Sequence, residues 1–124
     1  MSEVSATSPA TLTKALLRAA DQLGLGADLA TLLGTPADDA AVLQAGARML
    51  DPHRPEWGRA LKLVGLFRSL ISLVGAPERA RAWLGAPNQA LGARPIELLR
   101  TVEAERVFRY LDAVQKHELR LPPH

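Results

Sequence analysis

The sequence contains no cysteine, which excludes disulfide staples, thiolate metal sites and a cysteine nucleophile, and leaves the redox compartment open. Aromatic residues are scarce at 4%, so a core has to be assembled mainly from Leu, Val and Ala. Isoleucine occurs only at Ile71 and Ile96, and no stretch sustains apolar/polar alternation. Both facts argue against a sheet and for helices. Long apolar runs are missing as well. The most apolar stretch, residues 61–74, is interrupted by Lys62 and Arg68 and falls short of the roughly 18–20 residues a membrane span needs. It reads as a buried helix. The first residues show no basic segment followed by an apolar one, so no secretory leader is expected and the cytoplasm is the default. HExxH, GxSxG, a glycine-rich phosphate loop and paired carboxylates are all lacking, and His53, His117 and His124 have no partner at ligand spacing. The chain reads as non-enzymatic, with no cofactor and no metal.

What is present is 124 residues, 48% of them hydrophobic, enough for one compact unit with a single core shared by two lobes. The net charge of +2 is unevenly spread. Residues 1–53 carry three basic and six acidic side chains, and residues 54–124 carry twelve basic and seven acidic. Arginine supplies twelve of the fifteen cations, and its planar fork suits carboxylate and phosphate recognition. The basic half is therefore the candidate docking surface.

Punctuation divides the chain into short helices. Ser8-Pro9 or Thr11 opens the first, with Leu12, Leu16, Ala19, Ala20 and Leu23 as its inner stripe and Gly24 as its end. A second is predicted over residues 27–33, and a third over 36–50 with Asp38 and Asp39 favouring the positive end of the helix dipole. Asp51-Pro52-His53-Arg54-Pro55 breaks it. The fourth, over residues 55–74, has two apolar stripes. One is Trp57, Leu61, Val64, Phe67, Ile71 and Val74, and the other is Leu63, Leu66, Leu70 and Leu73. Such a helix calls for cover on two sides, from the flanking helices or from a second subunit. Further helices are predicted over 77–84, from Pro95, and over 102–116 with Val107, Tyr110, Leu111 and Val114 inward. Residues 118–124 read as a tail.

Two patterns rise above this background. Leu29, Ala30 and Gly34, followed by Ala40 and Leu43, have the spacing of a helix-turn-helix. Its second helix offers Asp38 and Asp39 to a polyanion, and only Gln44 and Arg48 suit base or phosphate contact, so weak DNA binding is expected. The second pattern runs from Ala80 to Thr101. Trp83-Leu84, Pro87-Asn88, Ala90-Leu91-Gly92 and Pro95-Ile96-Glu97-Leu98-Leu99 stand in an order and spacing that resembles the toxin-binding domain of the Xre/MbcA/ParS antitoxins. The likeness covers about residues 77–114. Ala104 follows Glu103 where many members have glycine, a change that favours helix.

The resemblance implies an all-α, compact helical bundle, with an Xre-like helix-turn-helix region over 8–75, a toxin-binding region over 76–117, and the tail. Within the motif, Trp83 and Leu84 are expected to anchor a short helix on the fourth one, Gly85 and Gly92 to allow tight exits, Pro87 and Pro95 to set helix starts, and Asn88 to cap the helix that follows. Leu91, Glu97, Leu98 and Leu99 complete the scaffold. The resemblance also implies a type II antitoxin that neutralises a RES-domain toxin acting on NAD. Arg94, Arg100, Arg109, Lys116 and Arg120 are the expected toxin contacts, the last three at or over the toxin's phosphate-binding region. Operator DNA is expected to be engaged only in complex with toxin, and the fourth helix suggests a homodimer. The alternative is a helix-turn-helix transcriptional regulator acting mainly on DNA.

Overall fold

In the computed structural model, which describes residues 8–116, every regular element is helical. The order is α1 (Pro9–Leu23), one 3-10 turn (Gly26–Asp28), α2 (Leu29–Leu33), α3 (Ala37–Gln44), α4 (Glu56–Val74), α5 (Pro77–Gly85), α6 (Pro95–Leu99) and α7 (Ala104–Gln115). No single helix among the described residues is long and apolar enough to cross a membrane. The chain divides into two units, Met1–Gly65 and Leu66–His124, with the boundary inside α4.

In the first unit, α1 begins as its sequence dictates. The Ser8 hydroxyl accepts from the Thr11 amide at 3.1 Å, and Pro9 occupies the first helical position. Three helices then end in one way. Gly24, Gly34 and Gly46 adopt left-handed backbone angles, and the two amides at each end bond back to carbonyls of the last turn. For α3 these are the Gly46 amide to the Leu43 carbonyl and the Ala47 amide to the Val42 carbonyl. This end corrects the expected span of 36–50, because the helix stops at Gln44 and residues 48–50 run on without regular structure. The unit's buried apolar residues include Leu12, Leu16, Leu23, Leu29, Leu32, Leu33, Ala40, Leu43 and Leu50. Each fully buried Leu contributes roughly 1.5–3 kcal/mol.

Along α4, Ala60, Leu63, Val64, Leu66, Phe67 and Leu70 are buried, whereas Leu61 and Leu73 keep 38% and 37% of their surface. At 100° per residue the buried set forms one contiguous arc that draws on both expected stripes, Val64 and Phe67 from one and Leu63, Leu66 and Leu70 from the other, and leaves Leu61 and Leu73 at its margins. In the second unit, α5, α6 and α7 bury Ala80, Trp83, Leu84, Ile96, Leu98, Leu99, Val107, Tyr110, Leu111 and Val114. The last helix starts at Ala104, two residues later than expected. Thr101 to Glu103 form a turn held by the Thr101 side chain.

Candidate interaction surface

The second unit builds its surface around a closed loop between α5 and α6. The Asn88 amide donates to the Ala93 carbonyl at 3.1 Å, and its own carbonyl accepts from the Gly92 amide at 2.8 Å. Its buried side-chain Oδ1 accepts from the Leu91 amide at 3.1 Å. Asn88 therefore caps a tight turn and not the expected helix. Gly92 takes φ +75° there, a left-handed angle that penalises a side chain. Gly85, by contrast, is the last residue of α5 and has no positive φ, so the exit from that helix does not require glycine. Pro95 opens α6 at its first position, as expected. Trp83 stacks on Tyr110 of α7, with ring centroids 6.2 Å apart.

Arg106 ties this loop to the start of α7. One guanidinium nitrogen donates to the Leu91 carbonyl at 2.6 Å, and the other to Glu103 Oε1 at 2.8 Å. The Glu103–Arg106 spacing of three residues is a local signal, but the Leu91 carbonyl reaches Arg106 only through the tertiary fold.

The expected toxin contacts Arg94, Arg100, Arg109 and Lys116 are all exposed in this unit. Arg94 and Arg100 flank the two ends of α6. Arg109 and Lys116 lie seven residues apart on one face of α7, interleaved with Glu105 and Asp112, and Lys116 pairs with Asp112 at 3.0 Å. That face is mixed in sign. Arg120 and the tail lie outside the described residues.

In the first unit, the two residues expected to touch DNA are engaged within the chain. Gln44 donates to the Gly26 carbonyl at 2.9 Å. Arg48 makes a two-pronged pair with Glu56, both bonds 2.8 Å, and stands 3.6 Å from Asp39. The Glu56 side chain is 1% exposed and also accepts from the Asp51 amide at 3.0 Å. The Arg48 guanidinium holds the Glu56 carboxyl below the usual carboxylate range against the opposing effect of burial, and Glu56 raises Arg48 in turn. Arg54 completes the cluster by donating to Asp39 at 2.6 Å. Thr13 braces the same segment, since its hydroxyl accepts from the Leu50 amide at 2.9 Å and donates to the Pro9 carbonyl.

A recess of about 380 Å³ in this unit is lined by Leu17, Ala20, Asp21, Gly24, Gly26 and Gln44. With one ionisable side chain, it offers no acid–base pair. Among the described residues no three His, Cys, Asp or Glu side chains gather as a metal site.

Residues 69–116 match the family model of the antitoxin Xre/MbcA/ParS C-terminal toxin-binding domain. The fold is similar to one chain of the crystal structure of the M. tuberculosis MbcT–MbcA toxin–antitoxin complex, with a TM-score of 0.62 and 24% identity over 87% of this chain and 96% of that one. No curated protein matches the sequence.

Proposed function

We propose, on the match of residues 69–116 to the antitoxin Xre/MbcA/ParS C-terminal toxin-binding domain, that the chain is the antitoxin of a type II toxin–antitoxin system, neutralising a RES-domain toxin that consumes NAD or transfers ADP-ribose from it. The family match is the observation that carries this reading. The exposed arginines of the same segment supply the chemistry, since guanidinium forks bind carboxylates in pairs. Neutralisation works by covering the mouth of the toxin's active site. Arg94, Arg100, Arg109 and Lys116 belong at its rim, because a pocket that binds a diphosphate presents donors and positive charge of its own and repels a cation. Arg120, outside the described residues, is proposed as a further contact.

The test is co-purification with the product of the adjoining gene together with rescue of cells from its toxicity. Loss of rescue in a variant ending at Thr101 is the expected result. Rescue by that variant would remove α7 from the interface.

Autoregulation follows as a second role only for the assembled complex, where linking several weak sites raises the effective concentration of each. The α2–α3 segment has the sequence spacing of a helix-turn-helix, and the acidic α3 does not favour DNA binding in the free chain.

A further inference from the structure

The link between α6 and α7 holds an anomaly. Val102 is 98% exposed, far more than any other large apolar residue described, of which Met49 at 54% is next. Turn positions favour Gly, Asn, Asp and Ser, whose backbone freedom or short polar side chains suit the geometry, whereas valine is stiff and gains nothing in water. The link itself is rigidly built. The Thr101 hydroxyl donates to the Leu98 carbonyl at 2.9 Å and accepts from the Glu103 amide at 3.0 Å, and the Ala104 amide donates to the Thr101 carbonyl at 3.2 Å. Arg106 then locks Glu103 to the Leu91 carbonyl. Single exposed apolar residues are common, but this one is held on a braced turn inside the segment that matches the toxin-binding domain, and functional sites are where local rules give way.

We infer that Val102 is a preformed apolar anchor that seats in a shallow apolar recess of the toxin, beside the charged contacts made by Arg100. The inference rests on the toxin-binding reading above, since Val102 stands inside the matched segment. A rigid anchor loses little freedom on docking, which is what concentrates binding energy in few residues.

The experiment uses the full chain and the toxin from the adjoining gene. Val102→Ala is expected to weaken binding by about 10-fold and Val102→Asp by about 100-fold, with the Tm of the free protein unchanged or raised because the residue is 98% exposed and a turn tolerates aspartate better than valine. Val102→Ile should keep or improve affinity. Unchanged affinity in Val102→Asp, with wild type binding normally, overturns the anchor and leaves the antitoxin reading standing. If wild type fails to bind the toxin, both fall. A change in the oligomeric state of toxin-free Val102→Asp would assign the residue to a second copy and overturn the toxin assignment.

Discussion

At the scale of single residues, the most consequential side chain is Glu56, an acid at the start of α4 that is fully buried against Arg48. Removing one partner of a buried pair usually costs about 3–5 kcal/mol, because the other charge is stranded. Arg48 retains 19% of its side-chain exposure, and its buried Nε has no partner among the described residues, so the pair is less than ideal. Glu56→Gln should destabilise the protein by about 2 kcal/mol, measured by urea unfolding at pH 7. The sign with pH follows from the lowered folded-state pKa. The carboxylate's contribution is fully present above its ordinary value of 4.5 and disappears as pH falls through the lower folded-state value. The stability gap between wild type and Glu56→Gln should therefore narrow below pH 4.5 and stay constant toward neutral. A gap that widens in acid would remove Glu56 from this role. Sequence alone could not show the pair, since Arg48 and Glu56 sit eight residues apart across two prolines and meet only because residues 45–55 fold back.

At the scale of elements, punctuation was the readable signal, and it worked where one residue type has one cause. Ser8-Pro9 and Gly24 delimit α1, Gly34 ends α2, and Pro77 and Pro95 open α5 and α6. The same logic missed the end of α3 because Gly46 sits among alanines in a stretch that could have continued as helix. It also treated the motif glycines alike. Gly92 holds φ +75° and Gly85 does not, although neither would meet an atom within 4 Å on gaining a Cβ. Gly92→Ala should thus cost about 1 kcal/mol through backbone strain alone. Gly85→Ala should stabilise by up to about 0.5 kcal/mol, since alanine loses less entropy in a helix. Thermal unfolding of the two variants separates them, and equal shifts would sink the distinction. The order and spacing of the 80–101 motif were legible, but its internal logic was not. The Trp83–Tyr110 stack and the bond from Arg106 to the Leu91 carbonyl depend on groups that become neighbours only on folding.

At the scale of the whole molecule, function follows from where charge is exposed and where it is consumed internally. In the second unit Arg94 and Arg100 reach solvent at either end of α6, so reversing both to Glu should slow association with the toxin and weaken its salt dependence, while the helices stay intact. Surface plasmon resonance at two ionic strengths checks this, and unchanged association rates would move the interface elsewhere. The first unit is arranged differently. The exposed residues of α3 are Ala37, Asp38, Ala41, Val42 and Gln44, a surface with no cation to meet a phosphate and, Gln44 apart, nothing to read a base edge. Its two candidate readers are spent within the chain, Gln44 on the Gly26 carbonyl and Arg48 on Glu56. Freeing Arg48 for DNA would strand a buried carboxylate, a cost that one phosphate contact does not recover. The toxin-free chain is therefore expected to bind operator DNA no more tightly than micromolar at physiological salt, the range of non-specific association. Asp38→Arg should raise that affinity without regard to sequence, because it adds a phosphate contact and no base readout. A fluorescence-anisotropy titration decides the matter: nanomolar, sequence-selective binding by the free wild-type chain would show that α3 does enter the groove and that the Arg48–Glu56 pair opens on DNA.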